Sequence, residues 1–162
     1  MLLRRLLIRS AAVAVTVIAA AGALTGCTAP VAMEPGPDAN NPLCAEVSVQ
    51  LPDSLDGKER RQTDAQATGA WGDPAAVLLT CGVEPPGPTT IPCTTVGGVD
   101  WIVEDEGDFR FRVTTFGREP AVQLYVDTNA DTGVSSSVVL DVLSRTVGQL
   151  PITGVCTTIP AP

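Results

Sequence analysis

Residues 122–126, Val-Gln-Leu-Tyr-Val, and residues 109–114, Phe-Arg-Phe-Arg-Val-Thr, decide the fold class of this chain. In both stretches, apolar side chains alternate with side chains that carry a polar group. Such alternation places the apolar side chains on one face of a β-strand and the polar ones on the other. We therefore expect two half-buried strands of one antiparallel sheet.

Further strands and turns are predicted between residues 58 and 108. Residues 75–81 form an apolar run bounded by proline and glycine, which is typical of a buried strand. Residues 93–96 and 99–104 flank two glycines, which favours a hairpin because glycine accepts the positive φ of tight turns. The other predictions are a short polar edge strand at 58–63, turns at 70–74 and 106–108, and a loop with four prolines at 83–92.

A helix is predicted at each end of this strand region. Asn41-Pro42 is typical of a helix start, although residues 47–51 also alternate like a strand. Residues 135–137, three serines, would cap a second helix, and its apolar face would consist of Val139, Leu143, Val147 and Leu150. We therefore expect an α+β fold: an antiparallel sheet of four to five strands packed by an N-terminal and a C-terminal helix.

The first 27 residues have the organisation of a bacterial lipoprotein signal. Residues 1–9 hold three arginines and no acid, and residues 11–24 form an apolar run shorter than the roughly 20 residues of a transmembrane span. The run ends in Leu24-Thr25-Gly26-Cys27, which resembles the lipobox at which a signal peptidase cuts before the cysteine. We predict a signal peptide over residues 1–26, lipidation of Cys27, and an anchor on the extracytoplasmic face of the cell membrane.

The prediction divides the rest of the chain into two parts. Residues 27–42 would hold the lipidated cysteine and a Pro-rich tether, and residues 43–158 a single extracytoplasmic domain. The net charge of −8 becomes −11 when the three arginines of the signal are removed. Phosphate backbones repel so acidic a chain, which argues against nucleic acid as a partner.

The five cysteines fit an oxidising compartment. Lipidation of Cys27 leaves four, enough for two disulfides, and three pairings of the four are open. The sequence has no histidine and no pair of cysteines two residues apart, so zinc is poorly supported and no cofactor is expected.

Two acidic segments are candidate sites. Asp127, Asn129 and Asp131 place oxygens at alternate positions, as in a calcium loop, but positions six and twelve hold threonine and valine where an EF-hand needs glycine and glutamate. We favour a turn closed by the Asp and Asn side chains. The carboxylates of residues 104–108 are interpreted as a solvated turn rather than a catalytic pair.

Trp71, Trp101 and Arg118 are candidates for a ligand or partner patch. The favoured alternative is that both tryptophans fill the core and that Arg118 pairs with a neighbouring acid. Nucleophilic catalysis has no support, because the sequence lacks both histidine and a Gly-x-Ser-x-Gly motif. The chain is therefore expected not to be an enzyme.

From Cys44 onward the chain resembles an actinobacterial family of small secreted or lipid-anchored proteins, known as domain of unknown function 3515. The resemblance rests on the order of Cys44 near Leu51-Pro52, Trp71-Gly72-Asp73-Pro74, Cys81-Gly82-Val83 and Gly98-Val99-Asp100-Trp101, with looser matches at Thr114-Thr115 and Gly117-Arg118-Glu119-Pro120. It implies a fold and a location but no activity. It also implies the disulfides Cys44–Cys81 and Cys93–Cys156, against the local alternative of Cys81–Cys93 with Cys44–Cys156.

These observations favour a non-catalytic interaction or accessory module. It would be held by its lipid anchor on the outer face of the cytoplasmic membrane, with an envelope protein as its partner. The alternative is an extracytoplasmic domain that binds a small ligand or calcium, through residues 127–133 or the region of Trp71 and Trp101.

Overall fold

The computed structural model describes residues 28–131 and 133–157. Within them the chain is an α+β domain in which two helices cover one face of an eight-stranded antiparallel sheet, in the order β1-β2-β3-β4-β8-β7-β6-β5. Helix α1 spans Pro42–Val49 and helix α2 spans Ser136–Val147. The strands are β1 Ser54–Leu55, β2 Lys58–Arg61, β3 Thr68–Trp71, β4 Val77–Val83, β5 Cys93–Val96, β6 Val99–Gly107, β7 Arg110–Phe116 and β8 Ala121–Asp127.

The fold class and the two helices are confirmed, but the prediction of four to five strands is wrong. Two of the eight strands correspond to no predicted segment: β1, which is only two residues long, and β3, which includes part of the turn predicted at residues 70–74. Strand β3 reads Thr-Gly-Ala-Trp and is buried throughout, so it shows no alternation of apolar and polar residues. The predicted edge strand at 58–63 is β2, which pairs on both sides, with β1 and β3.

The alternate apolar side chains of β7 and β8 pack into the core, as expected. Val113 and Leu124 are direct cross-strand partners, and both are buried on the face that the helices cover.

Asn41 is the N-cap of helix α1, and its side chain accepts a hydrogen bond from the Leu43 amide over 3.0 Å. Ser135 is the N-cap of α2, but its side chain makes no capping hydrogen bond; instead its amide donates to the Asp56 carboxylate over 2.7 Å.

Two disulfides join distant parts of the domain. Cys44 on α1 is bonded to Cys81 on β4, with both residues fully buried. Cys93 at the start of β5 is bonded to Cys156 in the C-terminal tail, 63 residues later. This is the pairing that the family resemblance implies.

The described part of residues 27–42 packs against the domain. Val31 forms a β-bridge with Thr63, and the Asp38 amide donates to the Gly82 carbonyl over 2.9 Å. Gly36 lies so close to β4 that an added Cβ would be 2.7 Å from the Cys81 oxygen. The structure therefore places residues 31–41 on the domain, whereas the sequence predicted a tether.

Candidate functional site

A groove lies at the β5 end of the sheet, on the face opposite the helices. We call it the tail groove: its walls are the proline-rich loop 85–92 and the tail 153–157, and its floor includes Ile102 and Phe116. Its volume is about 590 Å³. None of the described residues that line it is charged, and prolines, threonines and aliphatic side chains dominate the surface. Such a lining suits an apolar or uncharged binding partner.

Hydrogen bonds, a disulfide and a close contact between two glycines hold the tail that forms one wall of the groove. The Cys156 amide donates to the Asp100 carboxylate over 2.8 Å, next to the disulfide with Cys93. The Thr153 amide donates to the Gly117 carbonyl over 2.9 Å. Gly117 has φ of +63° and touches Gly154 so closely that a Cβ would overlap its carbonyl. Glycine is therefore required at residue 117 for the tail to run along this wall.

The structure separates the three residues that were candidates for one patch. Trp71 on β3 and Trp101 on β6 are both fully buried, and three strands lie between β3 and β6. Each indole nitrogen donates within the domain, that of Trp71 to the Pro52 carbonyl and that of Trp101 to the Ser144 hydroxyl. Both tryptophans are therefore core residues and do not form an exposed patch.

Arg118 is also buried, with 6% of its surface exposed, but its partners are not acids. Its Nη1 donates to the carbonyls of Gly148 and Leu150, over 3.0 and 2.6 Å, and its Nη2 donates to that of Gly98 over 3.1 Å. Because Gly148 ends α2, the guanidinium lies at the negative end of the helix dipole. Arg118 thereby joins the end of α2 to the β5–β6 hairpin.

The candidate calcium loop has the hydrogen bonds of a closed turn. Asp127 Oδ1 accepts from the amide and the side-chain nitrogen of Asn129, over 3.0 and 2.7 Å, and Asp127 Oδ2 lies 3.7 Å from Arg110 Nε. The backbone hydrogen bond from Asn129, and then its side chain and the Arg110 charge, lower the pKa of Asp127 despite partial burial. Asp131 is exposed. A cation at Asp127 would have to compete with the guanidinium beside it.

The other acidic candidates lie at the end of β6 and in the turn that follows it. Asp105, Glu106 and Asp108 are exposed; Glu106 pairs with Arg112 over 2.9 Å, and Asp105 accepts from the Gly107 amide. Within the described residues, no group of three or more Cys, Asp or Glu side chains is arranged to hold a metal ion.

The tail groove could not be predicted from the sequence, because its walls are irregular segments. The one sequence feature that marks it is the density of prolines before Cys93.

The lipobox residues and Cys27 lie outside the described residues, as does Thr132 of the candidate calcium loop. In the part of the chain that the structure describes, no helix is long and apolar enough to cross a membrane.

The comparisons with known proteins identify a family. No curated protein and no solved structure matches the chain significantly. Residues 7–152 match the model of the family described as Protein of unknown function (DUF3515), which covers both helices, all eight strands and most of the predicted signal. The chain therefore belongs to the DUF3515 family.

Proposed function

We propose that this protein is a lipid-anchored module of the cell envelope that binds a partner protein through the tail groove and performs no catalysis. The anchor is the lipidated Cys27, on the outer face of the cytoplasmic membrane. The observation that carries the binding role is the groove itself, an uncharged concave surface of about 590 Å³ at the edge of the sheet.

The cysteine inventory supports the anchor. Four of the five cysteines are used in the disulfides Cys44–Cys81 and Cys93–Cys156. The remaining one, Cys27, follows Leu24-Thr25-Gly26 and an apolar run, as a lipidated cysteine does. Two disulfides are also what an oxidising, extracytoplasmic compartment favours.

The position of the groove supports an extended peptide segment as the bound part of the partner. Strand β5 is the last strand of the described sheet and is exposed over Cys93–Thr95. Edge strands bind extended peptides through main-chain hydrogen bonds, while neighbouring pockets accept alternate side chains. Ile91 and Val155, on the two walls, are 38% and 64% exposed and so offer apolar contacts to such a segment.

Site-specific photo-crosslinking in intact cells tests this role. A photoreactive residue replaces Ile91 or Val155 in the groove and, as a control, Val138 on α2, which is 41% exposed. We expect one envelope protein to be crosslinked from both groove positions and not from residue 138. The purified partner should then bind the wild-type protein and lose affinity for Ile91→Glu. The same set of proteins from all three positions would overturn the proposed role.

A small uncharged ligand is the second candidate, because pockets for such molecules span roughly 300–1,000 Å³. Native mass spectrometry of the protein from cells distinguishes the two. A bound mass that disappears in Ile91→Glu, with no protein crosslinked from the groove, would favour the ligand. Calcium is a weaker candidate than an uncharged ligand, because the Arg110 guanidinium lies beside Asp127. If calcium bound there, it would raise the melting temperature of the protein, and we expect no such increase.

A further inference from the structure

The N-terminal segment is fixed to the domain beside β2, directly after the predicted lipidation site. Arg61 Nη2 donates to the Ala29 carbonyl over 3.0 Å. The Val31 amide donates to the Gln62 carbonyl over 2.8 Å, and the Met33 amide donates to the Asp64 carboxylate over 2.8 Å. Thr28 and Ala29 line a cavity of about 690 Å³ next to β2. Thr28, the residue that follows the predicted lipidation site, therefore lies at this cavity.

The same cavity gathers a large share of the basic residues. Of the seven that follow residue 27, three lie in β2: Lys58, Arg60 and Arg61. Two carboxylates, Glu59 and Asp73, also line the cavity, so its formal charge is +1 in a processed chain of −11. Within the described residues, Arg118 is buried, and Arg61, Arg110, Arg112 and Arg145 are paired with acids. Arg60 donates to the Ser48 and Leu51 carbonyls over 3.3 and 3.2 Å, so Lys58 is the basic side chain of this cavity that makes neither an ion pair nor a hydrogen bond among those residues.

An acidic domain held at an anionic bilayer is repelled unless a basic surface faces the lipid. Lys and Arg side chains near anionic headgroups are attracted, and this attraction falls off within a Debye length. The anchor would bring the β2 surface within that distance. Strand β5 lies six strand positions from β2, or about 29 Å at the usual strand spacing.

We infer that the β2 surface, Lys58 with Arg60 and Arg61, rests on the anionic lipid headgroups of the membrane, and that the tail groove faces away from it. This inference rests on the proposed lipid anchor. It adds an orientation: the anchor and the headgroup contact occupy one end of the sheet, and the partner-binding groove occupies the other.

Lys58 is the only lysine in the sequence, so its amine is a specific reporter. The lipidated protein is reconstituted into vesicles of phosphatidylcholine alone or mixed with phosphatidylglycerol. An uncharged acylating reagent is added, and the labelling rate of Lys58 is followed by peptide mass spectrometry. The variant Thr94→Lys supplies a control amine on exposed β5, at the opposite end of the sheet.

We expect phosphatidylglycerol to slow the labelling of Lys58 about threefold, because a surface potential of about −30 mV raises the local proton concentration by that factor and so lowers the fraction of unprotonated amine. The control amine should react at the same rate in both vesicles. Raising the salt to 1 M, where the Debye length is about 3 Å, should restore the Lys58 rate. Equal labelling of Lys58 in both vesicles, with the protein still vesicle-bound, would overturn the orientation alone. A protein that the vesicles do not retain would overturn the anchor and the orientation together.

Discussion

Arg61 donates a hydrogen bond to the Ala29 carbonyl, and through it the N-terminal segment is joined to strand β2 only two residues after Cys27. Arg61 also pairs with Asp73 over 2.8 Å, so the same guanidinium links the segment, β2 and the turn after β3. The anchor would therefore be attached to the folded domain almost directly, and the domain would hold a defined orientation at the membrane.

Gly36→Ala tests whether the segment is docked. The new Cβ would lie 2.7 Å from main-chain atoms of Cys81 and Gly82, so the segment would have to move away from β4. We expect faster hydrogen exchange at the Asp38 amide, which bonds to the Gly82 carbonyl. Gly87→Ala is the control, because no atom lies within 4 Å of its added Cβ. Unchanged exchange in Gly36→Ala would contradict the docking.

Arg118→Met tests the role of the buried guanidinium. Three carbonyls would lose their donor, and we expect the free energy of unfolding to fall by about 3 kcal/mol, measured by urea denaturation. Arg145→Met removes an exposed arginine on α2 that pairs with Asp141, and should change this free energy by less than about 0.5 kcal/mol. Equal losses of stability in the two variants would show that the hydrogen bonds of Arg118 do not stabilise the fold more than an exposed ion pair does.

The two disulfides should differ in their reaction with a mild reductant. Cys93 is exposed, whereas Cys44 and Cys81 are fully buried under α1. Reduction of the folded protein followed by alkylation should label Cys93 and Cys156 first, and peptide mapping identifies them. Labelling of Cys44 before Cys93 would contradict the burial of Cys44 and Cys81.

Removal of the buried disulfide should destabilise the domain. The double variant Cys44→Ala/Cys81→Ala should lose about 3–4 kcal/mol of the free energy of unfolding, measured by urea denaturation.

The ionisation of Asp127 should make the stability of the fold depend on pH in a known direction. Its pKa is lowered from 3.8, chiefly by the Asn129 amide, so its ionised form stabilises the fold above 3.8, and this contribution is lost as the pH falls through the lowered pKa. Asp127→Asn should therefore be less stable than wild type near neutral pH, and the difference should shrink in acid. A difference that grows on acidification would contradict the assignment.

The elements with clear periodicity could be predicted from the sequence. Strands β7 and β8 alternate because one face is covered by helices, and Asn41-Pro42 begins a helix with the expected side-chain hydrogen bond. Strand β3 was missed because both of its faces are buried, so the pattern that identifies a strand is absent.

The candidate sites were harder to predict than the strands. The tail groove is formed by a loop and a tail that are distant in sequence and are joined by the disulfide Cys93–Cys156, whose cysteines are 63 residues apart. The residues suggested by chemistry, Trp71, Trp101 and Arg118, have large side chains, and large aromatic side chains contribute to core burial as well as to interfaces. Composition alone does not distinguish these roles, because burial depends on contacts between distant strands.

Intact mass spectrometry of the protein from the membrane fraction of a host with lipoprotein-processing enzymes tests the central claim most directly. The account predicts a chain that begins at Cys27, carries diacylglyceryl on that cysteine, and retains two disulfides. The variant Cys27→Ser should lack the lipid and leave the membrane fraction. A wild-type chain that keeps residues 1–26, or that begins at Cys27 without added lipid, would contradict the account.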